Sequence, residues 1–286
     1  MKTVDEPGLS VTLVARDEED RLPDALASVA FADERIVVVD AASTDRTEEI
    51  ARQAGASVLV RPFDGFGGQK NAAAALATNR WILSIDADEI VSPKLALEIR
   101  AGLVSAASET SPPAAYRVPI RLEFLGRELL FGRDTVVRPI RLYDRSRARF
   151  SDDPVHERIL AAGPVESLEE SVLHRSYRDL AHYLEKLDRY TTLAAEAKWA
   201  AGKGGGGFLT ARVLWEFFDR AVLRLGFLDG SAGLTFAALS SASTLLKYLK
   251  LRELEQAIAR GERTAPEGAR IEDTAALRIR AALGAR

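Results

Sequence analysis

A chain of 286 residues that is 47% apolar and 28% charged has the composition of a globular protein with room for one large α/β domain plus a helical appendage. It contains no cysteine, which excludes disulfides, zinc–thiolate sites and a thiol nucleophile, and leaves any metal to oxygen and nitrogen ligands. The net charge of -3 hides an asymmetry: residues 1–115 carry 11 Lys and Arg against 19 Asp and Glu, whereas residues 116–286 carry 28 against 23. The basic half suits an anionic surface or substrate.

From Ser10 to Glu89 short β-branched runs alternate with helical patterns. Val11 to Ala15, Ile36 to Asp40, Ser57 to Arg61 and Trp81 to Asp86 read as strands. Between them, Leu22, Ala25, Leu26 and Val29 fall on one helical face, with Pro23 in a first turn. A second helix is expected from about Asp45 to Ala54, capped by Ser43 or Thr44, and an alanine-rich third from Gln69 to Ala77. Repeated β-α units of this length imply a mostly parallel sheet with helices on both faces. Open sheets of this kind bind ligands at the carboxyl ends of their strands.

After a helix at Lys94 to Val104, Ser105 to Ala114 reads as a loop. Ala115 to Leu125, Val136 to Tyr143 and Val155 to Leu160 are expected as further strands, mixed or antiparallel. Arg178 to Ala201 forms a long helix, and Gly202 to Gly207 a flexible joint. Phe208 to Leu225 and Ala232 to Arg260 then read as two helices around a turn at Gly226 to Gly230. The division expected is 1–177, an α/β catalytic domain, and 178–286, a C-terminal helical region. The uncharged stretch Gly230 to Leu246 is short for a span and diluted by Ser and Thr. Trp215, Phe217, Phe218, Phe227 and Phe236, set among Arg212, Arg220, Arg224, Lys247 and Lys250, leave two readings open: a helical subdomain with a solvated basic face, or a membrane-surface region. Met1 to Gly8 carries no charged-then-apolar leader, so a cytoplasmic location is expected, peripheral on a membrane where the second of those readings holds.

Chemistry concentrates at strand ends. Asp86, Asp88 and Glu89 follow an apolar strand; carboxylates so crowded suit a hard divalent cation, Mg²⁺ or Mn²⁺, that bridges to a diphosphate. The plain alternative is an acidic loop that caps the strand. Asp40 ends the second strand, where a carboxylate can accept hydrogen bonds from a base or ribose. Asp64 to Asn71 is a Gly-rich entry to a helix in which Lys70 adds charge toward phosphates, although the Gly-Lys-Ser/Thr ending of a Walker loop is missing. No glycine follows the first strand, which disfavours a nicotinamide dehydrogenase. In Phe150 to Glu157, Asp152 or Asp153 can serve as a general base and His156 as a further metal ligand; the alternative is a hairpin turn with acids. His174 is a weaker candidate ligand, and His182 reads as structural.

Together, Ser10 to Val14, Asp40-Ala41-Ala42-Ser43-Thr44-Asp45, Gly65-Phe66-Gly67-Gly68-Gln69-Lys70 and Asp86-Ala87-Asp88-Glu89 resemble glycosyltransferase family 2, inverting enzymes of GT-A fold. Phe150 to Glu157, His174 to Leu180 and Leu225 to Gly230 look like the bacterial subgroup that includes lipopolysaccharide-core β-glucosyltransferases. The resemblance implies a donor that is a nucleoside-diphosphate sugar, UDP-linked hexose being expected, contacted by Ala15, Glu18, Asp40, Lys70 and Asp86. It implies a cation, Mg²⁺ or Mn²⁺, held by Asp88 with Asp86 and His156, and Asp153 or Asp152 as base toward a glycolipid or saccharide hydroxyl. Relatives usually carry Asn-Glu after the first strand where this chain has Asp17-Glu18, and residues 132–136 lack expected aromatics. No nucleic-acid partner is implied. The rival readings are a sugar nucleotidyltransferase, whose basic Gly-rich signature after the first strand is absent, and a non-catalytic GT-A-like binding protein, against which the intact acids argue.

Overall fold

The computed structural model describes residues 7–133, 135–151, 157–201 and 208–260. In chain order the strands are β1 (Leu9–Ala15), β2 (Glu34–Asp40), β3 (Ser57–Arg61), β4 (Trp81–Asp86), β5 (Glu89–Val91), β6 (Ala115–Arg117), β7 (Ile120–Phe124), β8 (Arg127–Glu128), β9 (Val136–Val137), β10 (Ile140–Asp144), β11 (Ala148–Phe150), β12 (Ile159–Ala161), β13 (Val165–Ser167) and β14 (Val172–His174). The helices are α1 (Leu22–Ser28), α2 (Thr47–Gln53), α3 (Phe66–Leu76), α4 (Pro93–Ser108), α5 (Leu180–Ala200), α6 (Leu209–Phe218) and α7 (Gly230–Ala259). They form two compact units: residues 1–121 with 138–175, and residues 122–137 with 176–286.

The first unit is built on a seven-stranded sheet of order β13-β6-β10-β4-β1-β2-β3. β1 pairs in parallel with both β2 and β4, and β2 with β3; β10 adds antiparallel to β4. The register sets Val14 opposite Asp86 and Ala15 opposite Val39, so the carboxyl ends of β4, β1 and β2 share one edge. β2 shows why the sheet is covered on both sides. Ile36 and Val38 pack with Ala73 of α3 and Ala77 just past its end on one face, while the alternate Val37 and Val39 are equally buried, as period-two side chains of a two-sided strand must be. The α/β architecture expected from the sequence is thus the one found, with its helical C-terminal region.

The elements differ from the expectations where proline and backbone chemistry intervene. The strand read from Ala115 to Leu125 is two strands, because Pro119 has no N–H to give a ladder; Val136 to Tyr143 is likewise divided before Ile140 at Pro139. The two breaks are adjacent in space, since Val118 N donates to the Pro139 carbonyl at 2.9 Å. They are also where the chain leaves the first unit and returns to it. α4 continues through Ser105 to Ser108, read as loop, and buries Ala106. Of the strand expected at Val155 to Leu160, Ile159–Ala161 is observed; Val155, the Gly202–Gly207 joint and the chain beyond Arg260 lie outside the described residues.

In the second unit Leu122, Phe124 and Leu129 pack on Tyr183, Leu187 and Ala232, with the Phe124 ring 5.5 Å from Tyr183 and 5.3 Å from Phe236. Asp179 caps α5 by accepting from His182 N at 2.8 Å. The helix expected from Phe208 to Leu225 stops at Phe218. A π-helical turn, Asp219–Leu223, follows, and then a 3₁₀ turn, Gly226–Asp229.

Candidate active site

Successive loops at the carboxyl edge of the sheet are sewn to one another. Asp17 adopts a left-handed backbone, φ 53°, a conformation open chiefly to Gly, Asn and Asp. Its N–H donates to Ser43 Oγ at 2.9 Å, and its Oδ1 accepts from Thr44 N at 2.8 Å. Glu18 N donates to Thr47 Oγ1 and Glu19 N to Asp45 Oδ2, at 2.8 and 2.9 Å. Ser43 and Thr44 therefore serve the loop after β1 rather than capping α2, as expected from sequence; Asp45 Oδ1 accepts from Thr47 N at 3.0 Å instead. The Thr44 amide, assisted by its hydroxyl, outweighs partial burial and holds the Asp17 carboxyl below its ordinary range.

Asp40, 7% exposed, accepts from Ala42 N at 3.0 Å and from Arg16 at 3.4 Å. Ala15 is the last residue of β1. Glu18 is gripped bidentately by Arg21 at 2.6 Å, a geometry that fixes both planes.

At the end of β4 the acids already hold counter-ions. Asp86 Oδ1 lies 3.2 Å from Lys70 Nζ, and its Oδ2 2.9 Å from Arg141 Nη2. Arg141 Nη2 also reaches Glu89 Oε1 at 2.7 Å, and Glu89 Oε2 accepts from Asp86 N at 2.9 Å. Burial alone would raise the Asp86 pKa, but Arg141 and Lys70 outweigh it and hold the carboxyl far below its usual range. Glu89 is pushed the other way: burial, with Asp86 adding to it, exceeds the attraction of Arg141.

Asp88 forms the second focus. Its Oδ2 is 3.2 Å from His174 Nε2 and 3.4 Å from Arg21 Nη1. The pairing of β14 with β5 brings the histidine there, with His174 opposite Glu89. Burial raises the Asp88 pKa and lowers that of His174, and in each case the partner's charge prevails: Asp88 is held low and His174 high. The Asp88 carboxylate is a hard donor that fits Mg²⁺ or Mn²⁺, whereas the His174 imidazole is a borderline nitrogen donor that suits Mn²⁺ better than Mg²⁺ and has to give up its proton to ligate. No cluster of three or more such ligands exists among the described residues, so the remaining positions would have to come from oxygens of a bound diphosphate or water.

α3 joins this centre to the segment carrying the expected base. Gly65, φ 107°, opens the helix with a backbone that glycine alone takes readily. Two residues on, a Cβ on Gly67 would stand 2.5 Å from the Ser151 carbonyl. Asn71 completes the joint, its amide accepting from Phe150 N and donating to Phe150 O, both at 3.0 Å. Lys70 is 3.6 Å from Glu157 and 5.4 Å from the Phe150 ring centroid. Asp152, Asp153 and His156 lie outside the described residues. The chain on either side of them is anchored, since Ser151 N donates to the Arg158 carbonyl at 2.8 Å.

Asp40, Lys70, Asp86 and Asp88 are thus at the carboxyl edge, and His174, the weaker candidate, is beside Asp88. His182 is bound up in the start of α5, accepting from Arg178 N at 3.2 Å. Arg141 and Arg21 were not read from the sequence. For Arg141 the signal was there: one cation in the otherwise apolar run Ile140-Arg141-Leu142-Tyr143 needs an acid when buried.

Residues 10–107 match the model of the family described as "Glycosyl transferase family 2". An uncharacterized glycosyltransferase of Rickettsia felis is 30% identical over 270 residues, covering 90% of this chain and 95% of the relative. The chain belongs to glycosyltransferase family 2. Another family-level relative, the lipopolysaccharide core biosynthesis glycosyltransferase LpsC of Rhizobium meliloti, is 27% identical over 260 residues, 85% of this glycosyltransferase and 94% of LpsC. Among solved structures, glucosyl-3-phosphoglycerate synthase from Mycobacterium tuberculosis in complex with Mn²⁺, UDP and glucosyl-3-phosphoglycerate aligns at 18% identity. The alignment covers 62% of this chain and 75% of that one, with a TM-score of 0.37. A likeness at that level says nothing about the donor or metal of this family 2 chain.

Proposed function

We propose that this glycosyltransferase moves a hexose from a nucleoside-diphosphate sugar, UDP-linked in the simplest reading, to a hydroxyl of a lipid-linked saccharide such as a lipopolysaccharide core, with inversion at the anomeric carbon. The observation that carries the reading is the pair of foci at the end of β4: Asp86 neutralised by Lys70 and Arg141, and Asp88 beside His174. The similarity to LpsC supports the acceptor class. The reaction is assigned to the cytoplasmic side of the inner membrane, where nucleotide sugars are available.

In this reading Asp40 and the stitched loops after β1 and β2 receive the nucleoside, and Lys70 faces the diphosphate. Asp88, with Asp86 alongside, would hold Mg²⁺ or Mn²⁺, joined by His174 once the cation displaces its proton. When bound, the cation supplies Lewis acidity that offsets charge on the departing diphosphate. The acceptor oxygen forms its bond to the anomeric carbon from the face opposite the leaving group while the bond from that carbon to the phosphate oxygen breaks. The hydroxyl proton passes to Asp153 or Asp152, and the nucleoside diphosphate leaves with the electron pair.

The test is slow hydrolysis of a panel of nucleoside-diphosphate sugars by the full chain, with Mn²⁺ or Mg²⁺ and without. One donor class should be hydrolysed, and Asp88→Asn should lower the divalent-dependent rate at least about a hundredfold, the scale of losing a charged ligand at developing phosphate charge. Undiminished hydrolysis by Asp88→Asn would reject the metal assignment, and no hydrolysis of any sugar nucleotide by the parent chain would reject the donor class.

A further inference from the structure

In the second unit, α6 is built inside out. The positions turned toward its own unit are Leu209, Val213 and Glu216, followed at helical spacing by Arg220 in the π turn, and the charged pair among them is closed. Arg220 Nε donates to Glu216 Oε1 at 2.8 Å, and its Nη1 to the Arg133 carbonyl at 2.9 Å. The outward positions carry Leu214, Trp215 and Phe218, which are 64, 60 and 44% exposed. A helix on a soluble protein shows the reverse order, apolar in and charged out.

The apolar surface continues through the π turn and the 3₁₀ turn, where Leu223 and Leu228 are each about half exposed. Among the described residues, eleven of the twenty-four exposed large hydrophobic side chains fall between Phe208 and Leu234. Isolated exposed leucines are ordinary, whereas a run of this length marks a surface meant to be covered.

The charges say by what. Every acid in the stretch is turned inward: Glu216 lies on Arg220, Asp219 is 3.8 Å from Arg133 and 3.6 Å from Arg224, and Asp229 accepts from Leu130 N and Phe131 N. The exposed charged residues are Arg212, whose guanidinium lies 4.6 Å over the Tyr248 ring, and Arg224, beside Asp219; neither cation is matched by an acid that faces outward. A second copy of the same face would set arginine against arginine with no outward acid to meet it. No single helix among the described residues is long and apolar enough to cross a membrane; Leu209–Leu223 with Gly226–Ile258, bent by 70°, is so only as a pair, and extraction with alkaline carbonate separates such a re-entrant span from interfacial binding.

We propose that α6 and the two turns after it lie in the boundary between headgroups and acyl chains of an anionic phospholipid bilayer. The aromatic and aliphatic side chains enter the acyl region, and Arg212 and Arg224 meet lipid phosphates. This deepens the acceptor side of the proposed function, because it gives an enzyme acting on a lipid-linked saccharide its surface. It rests on the geometry of this face, and its test reads lipid binding rather than turnover, so either proposal can fail alone.

The full chain should co-sediment with vesicles of phosphatidylcholine plus phosphatidylglycerol, much less with phosphatidylcholine alone, and less at high salt. Replacing both Trp215→Ser and Phe218→Ser should weaken binding at least about tenfold, the loss of two apolar anchors. Arg212→Gln with Arg224→Gln should remove about tenfold and most of the preference for anionic vesicles. Far-UV circular dichroism and urea unfolding check that the variants fold. The proposal is overturned if the parent chain stays in solution with both vesicle types, if folded variants bind as the parent does, or if alkaline carbonate fails to release the bound protein. A concentration-dependent dimer abolished by Phe218→Ser, without vesicle binding, would also overturn it in favour of self-association.

Discussion

Asp17 shows how one side chain can carry both backbone shape and binding-site architecture. Its left-handed φ of 53° and its bond from Thr44 N are demands that Asn also meets, since Asn tolerates the conformation and keeps an acceptor oxygen. The departure from Asn-Glu in this family is therefore a small chemical step. Asp17→Asn should leave the KM for the donor within about twofold, while Asp17→Ala, with neither the backbone preference nor the acceptor, should raise it about fivefold, the scale of one hydrogen bond. Steady-state hydrolysis of the sugar nucleotide measures both, and an unchanged KM in the alanine variant would remove Asp17 from the nucleoside site. At this scale the sequence showed which residue types gathered at strand ends but not which charges met. Lys70 was expected to face phosphate and is found on Asp86; Arg141, from a strand more than fifty residues on, is the partner that sequence proximity cannot reveal.

Among the elements, the strands and helices up to α4 were legible because each is a sustained pattern of one period. The breaks at Pro119 and Pro139, the π turn after α6 and the extension of α4 to Ser108 depend on which backbone groups find partners, and periodicity does not report that. Asp144 illustrates such a partner set. At the end of β10 it is fully buried and accepts from Arg80 at 2.6 Å and from Ser146 N at 2.9 Å, fastening the β10–β11 turn beside the start of β4. Burial raises its pKa, but these bonds prevail and hold it below 3.8. A carboxyl whose folded pKa is depressed contributes stability above its unfolded pKa and loses it as pH falls through the folded value. Asp144→Asn should therefore cost about 2 kcal/mol near neutrality. The gap from the parent chain should begin to narrow below about pH 4, where the unfolded chain's carboxyl takes up a proton, and close as pH falls through the lower folded pKa. Urea midpoints measured across that range would show a constant gap if the anion were irrelevant.

For the whole molecule, what could be read early was a sheet followed by helices; what could not was that the chain crosses between its units three times. Residues 122–137 belong with the C-terminal helices, where Leu122, Phe124 and Leu129 are buried against α5 and α7. A boundary drawn only along the sequence misses an excursion flanked by Pro119 and Pro139. A protein ending at Tyr177 should consequently expose those three side chains and aggregate, as transiently uncovered apolar surface does. Light scattering of that truncation against the full chain would decide it, and a monodisperse product would show that the excursion needs no cover.

The acids at the end of β4 lead to one more consequence. Lys70, Arg141 and Arg21 already neutralise Asp86, Glu89 and Asp88 within the protein, so the sheet edge needs no borrowed cation to fold. Chelation and denaturation should be separable: adding EDTA should abolish turnover yet leave the melting temperature within about one degree, far less than expected where a metal is a structural member. The folded chain would then be a persistent apo form, with divalent-ion supply acting on its catalytic rate and leaving its lifetime alone.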